Sequence, residues 1–196
     1  MIGHRIVGSS LTVEGSFTQA RTHYEHALAL YDPVEHRLLA GRFGQDASVS
    51  ILVMTSLNQW LLGYPAAALG DVDQSLRNAR QIGQAASLMF ALFFATRLYT
   101  LCGNYSAATA LAEELVVLAT EKRSLHWKAF GLVSAGYLSS LMGRPSEAVQ
   151  QITSGLSQLQ ATEGKLWAPL YLSQTWRAPL LMPVISVTRG AALPKQ

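Results

Sequence analysis

Apolar residues recur every three or four positions over one stretch of the chain after another, which is the spacing that gathers them on one side of a helix. The clearest stripe is Ala108, Leu111, Ala112, Leu115, Leu118 and Ala119, predicting a helix over about 105–122. The same reading predicts a helix over 1–14, with Ile6, Val7 and Leu11 apolar and Gly8 allowing close packing. A partner over 17–31 follows, with Ala20, Tyr24, Ala27 and Leu28 on one face. Asp32 and Pro33 end it, because a residue before proline avoids helical backbone angles, and a connection runs from Asp32 to Gly44. Helices are next predicted over 46–62 (Val49, Leu52, Val53, Leu57, Trp60, Leu61) and 65–82 (Ala68, Leu69, Val72, Leu76, Ala79). Two more cover 85–102 and 125–142, and another covers 145–161 with Ala148, Ile152, Leu156 and Leu159 inward. No segment alternates with period two for long enough to make a sheet. A short helix at 165–176 and an irregular tail at 177–196 complete the reading.

A six-residue phrase punctuates these helices. It begins at Gly15, Gly63, Gly103 and Gly143 and ends at Ala20, Ala68, Ala108 and Ala148, so its glycines lie 48, 40 and 40 residues apart. Such a period marks a repeat architecture. Glycine reaches positive φ without a Cβ clash and so ends the first helix of each pair. Pro65 and Pro145 suit an early helical position, and Ser106, Ser124 and Ser146 are candidate caps. Each alanine falls where the paired helices would come closest. A glycine is next due near position 183, where the sequence has Pro183, so the repeat is expected to stop before it.

Composition then narrows the class. With 49% hydrophobic and 14% charged residues in 196, the chain is too apolar to be disordered and long enough to bury a core. Its formal charge of +3 comes from Arg177, Arg189 and Lys195 near the end, which leaves 12 basic against 12 acidic residues before them. A neutral body lacks the concentrated basic face that nucleic acid requires. The charge-free run from Ala47 to Gly70 is interrupted by Ser48, Ser50, Thr55, Ser56, Asn58 and Gln59 and broken by Gly63 and Pro65, so no membrane association is expected. One cysteine, Cys102, fits a reducing compartment, and without an export signal the expected location is cytoplasmic.

Gly8, Gly15, Phe17, Ala20, Tyr24, Ala27, Leu28 and the closing Asp32 and Pro33 together resemble a tetratricopeptide repeat. Gly136, Gly143 and Ala148 keep the relative spacing of Gly8, Gly15 and Ala20, while the later copies are longer than the usual unit. More specifically, His4-Arg5, the run from Tyr31 to Arg37, Gly44 to Asp46, Trp60 to Pro65 and Ala91 to Ala95 resemble the C-terminal helical-repeat regions of certain bacterial signalling proteins. Those proteins carry a class III adenylate or guanylate cyclase domain and an AAA-type ATPase domain upstream. The resemblance covers roughly residues 1–172, after which the chain changes character as a truncated or frame-shifted reading frame would. It implies an all-α, tetratricopeptide-like right-handed α-solenoid of antiparallel helix pairs over 1–176, serving as a non-catalytic interaction or regulatory module.

Little in the chain points to catalysis. No phosphate-binding Gly-x-x-x-x-Gly-Lys-Ser/Thr occurs, since Gly164 and Lys165 precede Leu166. His23 and His26 share a helical face but have no evident third ligand, so they read as solvent-facing. Asp71 and Asp73 diverge on a helix, as do Glu113 and Glu114, and neither pair is set to bind a metal. Cys102 has no evident base and reads as a packed residue. Asp32, His36, Arg37, Gln45 and Asp46 read equally as a polar cluster or as ordinary loop caps. No cofactor and no metal are expected.

The resemblance instead directs attention to the first helix of each pair, which in tetratricopeptide stacks lines the concave groove. Counting back three and six residues from the turn glycines gives Leu57 and Trp60, Arg97 and Thr100, and Tyr137 and Ser140. An arginine beside an aromatic suits a peptide or acidic group, while aromatics at this spacing equally suit interhelical packing. The expected partners are a protein or peptide segment, or cyclase and ATPase domains, with self-association through an exposed solenoid end. A small-molecule effector sensor is the alternative.

Overall fold

Gly15, Gly63, Gly103 and Gly143 all take positive φ, at 86°, 87°, 77° and 74°, in the computed structural model of the chain. Each closes the helix before it with the same pair of bonds. Ser16, Tyr64, Asn104 and Arg144 donate their N–H to the carbonyls of Leu11, Gln59, Tyr99 and Ser139, at 2.8 to 2.9 Å. The glycines donate to Thr12, Trp60, Thr100 and Ser140. This is the Schellman closure, which satisfies helix-end carbonyls at the cost of one left-handed residue.

The described residues are 1–160. The short helix expected at 165–176, the tail at 177–196 and the break near Pro183 lie outside them. Among the described residues the secondary structure is all helical. α1 is Ile2–Glu14 and α2 is Phe17–Ala29. The connection from Asp32 to Gly44 is largely wound into α3 (Pro33–His36), a 3₁₀ turn (Arg37–Leu39) and α4 (Ala40–Phe43). Asp32 starts it by accepting the Val34 N–H at 2.7 Å, with Pro33 at the first helical position. α5 is Ala47–Leu61, α6 Pro65–Ile82, α7 Ala85–Leu101, α8 Tyr105–Glu121, α9 Leu125–Leu141 and α10 Pro145–Gln160.

The three expected serine caps are corrected. Ser106 and Ser146 lie inside the first turns of α8 and α10, and Ser124 precedes α9 without a side-chain cap bond. The long cap in this protein is Asp46, whose Oδ1 accepts from the Ser48 and Val49 amides at 2.8 and 3.3 Å.

The chain divides into two compact units, one over Met1–Asn104 and a second from Tyr105 onward. In the first, α1 packs on α2 and α5 on α6, α2 leans on α5, and α7 packs on both α5 and α6. Ala20, Tyr24 and Ala27 of α2 join Ala47 and Ile51 of α5 in one buried cluster. Leu28, expected on that face, is instead exposed, as are Ile6 and Val7 of α1. In the second unit α9 packs against α8 and α10. Ile152 is fully buried there with Val149 and Leu156 around it, a side chain whose burial contributes roughly 2 kcal/mol.

The phrase-ending alanines, Ala20, Ala68, Ala108 and Ala148, are all 0% exposed, as close helix approach requires. No helix among the described residues is long and apolar enough to cross a membrane.

Candidate functional site

α5 and α7 are each the first helix after a connection and lie directly against one another, and this contact gathers part of the sequence-selected set. Val53, Ser56 and Leu57 of α5 meet Phe94, Arg97, Leu98 and Leu101 of α7 around a small crevice. Its interior volume is about 10 Å³, room for about one water molecule. The floor is apolar, because Val53 is fully buried and Leu98 nearly so. The Arg97 guanidinium carbon lies 5.9 Å from the centre of the Phe93 ring, within cation–π range. Phe93 is itself braced edge-on by Phe94, with ring centres 5.0 Å apart. The arginine head is thus held on an aromatic support beside an apolar crevice.

Leu57 and Arg97 are therefore brought together. Trp60 and Thr100 sit one turn further along the same two helices, both half-buried. The Thr100 hydroxyl is already committed, donating to the Thr96 carbonyl at 2.7 Å. Tyr137 and Ser140 belong to the second unit, on α9, half-buried, with the Ser140 hydroxyl donating to the Tyr137 carbonyl at 2.7 Å. Counting back three and six residues missed Phe94 and Leu101. Positions nine and two before Gly103 also face α5, and the apolar stripe on α7 held that signal.

The polar residues weighed from sequence resolve mostly into structural ties. Asp46 is fully buried yet well supplied: it accepts from the Tyr31 hydroxyl at 2.9 Å and the Ser48 hydroxyl at 2.6 Å, besides the two amides. Its own N–H donates to Ser87 Oγ at 2.7 Å, which joins α7 to the start of α5. Burial and the Asp46 carboxylate hold the Tyr31 phenol above its ordinary value. Asp32 serves α3 alone, so Asp32 and Asp46 cap two different helices. His36 accepts the Asp32 N–H at 2.8 Å.

Asp73 accepts from the Tyr99 hydroxyl at 2.8 Å, tying α6 to α7, and burial followed by that carboxylate pushes the phenol up to about 12. Asp71, half-buried, is raised by burial and eased by the charge of Arg21. Glu113 is exposed and Glu114 half-buried. Cys102 is half-buried just past the end of α7, and burial raises its thiol, which leaves it a poor nucleophile at neutral pH.

The histidine reading needs correction. His23 and His26 are not simply solvent-facing, because α1 delivers His4 to them. His4 Nδ1 and His23 Nδ1 are 3.0 Å apart, and the His4 and His26 ring centres are 5.3 Å apart. Partial burial and the neighbouring imidazoles of His23 and His26 hold His4 below the ordinary histidine value.

In comparisons with known proteins, no protein-family model matches the chain and no curated protein matches it.

Proposed function

We propose that this chain is a non-catalytic protein-interaction module built of tetratricopeptide-like helix pairs, and that the α5–α7 face binds a partner segment carrying an acidic group. The observation that carries the reading is the meeting of Leu57 and Arg97 at one crevice, with the guanidinium resting on Phe93. The planar fork of an arginine matches a carboxylate or phosphate bidentately, which suits this face to an acidic group. The apolar crevice beside it suits the edge of one side chain. Trp60 and Thr100 extend the face along α5 and α7, and Tyr137 and Ser140 offer a corresponding patch on α9.

The repeated closures, and the packing of α2 on α5 and of α6 on α7 within the first unit, support the reading as tetratricopeptide-like helix pairs. In this reading the chain acts in the bacterial cytoplasm as a regulatory segment of a signalling system. It couples to a cyclase or ATPase domain on a longer chain or on a partner. The crevice itself, at about 10 Å³, suits the edge of a side chain better than an enclosed effector, since small-molecule sites run to about 300–1,000 Å³.

The test is a peptide array probed with the full chain, each acidic peptide printed beside its amide-neutralised twin. Binding that prefers the acidic form, and falls at least about tenfold with Arg97→Glu and with Trp60→Ala at unchanged melting temperature, is the expected result. Equal binding of both twins, or binding indifferent to Arg97→Glu, refutes the assignment.

A further inference from the structure

We propose that His4 and His23 form a two-nitrogen clip for a divalent transition-metal ion that pins α1 to α2, with His26 beside it. The two ring nitrogens stand close enough to share one ion. Two nitrogens each about 2.1 Å from a shared ion and at a right angle about it stand about 3.0 Å apart, whereas a tetrahedral angle would open them to about 3.4 Å. The His4 Nδ1 to His23 Nδ1 distance is 3.0 Å. The same spacing is that of an N–H···N hydrogen bond between the two rings, so it fits a shared ion without selecting among metals.

Imidazole is a suitable donor for divalent transition-metal ions, and it binds as the neutral ring with the lone pair of Nδ1 directed at the metal. Without metal, one of the two Nδ1 atoms carries a hydrogen and donates to the other. On binding, that ring passes to the tautomer protonated at Nε2, so two neutral imidazoles remain neutral and no net proton is released. His23 is half-buried and His26 exposed, which leaves the ion open to water on its remaining positions. Among the described residues no three His, Cys, Asp or Glu side chains are arranged to hold a metal together. The clip is therefore a two-protein-ligand site, of modest affinity and exchangeable, completed by water. It cross-links residues 19 apart in sequence, and so would report on whether α1 is docked.

The experiment is calorimetric titration of the full chain with Ni²⁺, with Zn²⁺ for comparison and Mg²⁺ as control, paired with thermal melts. Ni²⁺ is the chosen probe because Cys102 can reduce copper. The expected result is one equivalent of Ni²⁺ bound, a melting temperature raised by Ni²⁺ and not by Mg²⁺, and a dissociation constant at least about tenfold larger in both His4→Gln and His23→Gln. The His23→Gln variant is decisive, since it removes the ligand that α2 supplies and leaves His4 in place. No nickel binding, or binding that His23→Gln leaves unchanged, overturns the proposal. His26→Gln separates two modes: an unchanged constant supports the two-histidine clip, and a loss as large as that of His23→Gln overturns it in favour of a three-histidine site.

Discussion

Gly8 with Tyr24 and Gly136 with Ile152 occupy the same pair of positions in two copies of the repeat. Each glycine lies seven residues before its turn glycine, and each partner nine after it, fully buried. Yet the two contacts differ in kind. A Cβ at Gly8 would stand 2.7 Å from Tyr24 Cε1, and all its closest neighbours belong to that ring. A Cβ at Gly136 would meet Ile152 Cγ1 at 2.6 Å and also backbone, the Ala148 oxygen and the Ile152 nitrogen, both at 3.0 Å. Sequence spacing thus decides which positions face each other, while the partner residue decides how near the helices come. In the first unit a tyrosine ring fills the gap, with its hydroxyl 3.0 Å from Thr12 Oγ1. In the second, the helices themselves close it.

The largest effect should follow from breaking the tighter contact. Gly136→Ala has to push α9 from α10, because backbone cannot rotate aside, and overpacking of this kind costs about 3 kcal/mol. For a domain of this size that corresponds to a fall of roughly 6–12 °C in melting temperature. A fall of less than about 2 °C would mean that the two helices separate cheaply, and the contrast between the copies would fail.

Gly8→Ala should cost less, about 1–2 kcal/mol, since a side-chain ring can tilt where a main chain cannot. The Thr12 contact opposes that tilt, so the cost should shrink in a Tyr24→Phe background that lacks the hydroxyl. A double-mutant cycle on thermal stability measures this directly. Additive effects would show that the hydroxyl does not hold the ring.

The comparison also explains what could be read from the chain alone. Turn glycines, contact glycines and close-packed alanines obey local rules of φ and size, so the phrase located four helix ends and four fully buried alanines. Helix limits within 1–160 fell close to expectation because Gly63, Pro65 and Asp46 mark boundaries chemically. The wound connection over 33–43 was not legible, as it carries no apolar stripe and depends on the Asp32 cap. Leu57 and Arg97 emerged from counting back along the helix, but Phe94 and Leu101 needed the actual facing of α5 on α7. His4 escaped because its partner is on another helix, and no local period predicts a contact between side chains 19 positions apart.

The smallest expected effect separates charge from packing in the first unit. Burial is the main cause raising the Asp71 carboxyl above its ordinary value, with the Arg21 charge acting the other way. A folded value above the unfolded one means that the folded state favours the protonated form. The favourable contribution is therefore complete below the unfolded value, near 3.8, and is lost as pH rises through the folded one. At neutral pH ionised Asp71 is a net cost, reduced by the water that still reaches it. Asp71→Asn removes the charge at almost the same volume, so it should stabilise the protein at pH 7 by about 0.5 kcal/mol, roughly 1–2 °C. The gain should fade as pH falls towards about 3, where aspartic acid and asparagine are both neutral. Melts of both proteins across that range measure the difference. A gain that persists unchanged at low pH would trace the effect to packing, and a loss at pH 7 would mean that attraction to Arg21 outweighs burial.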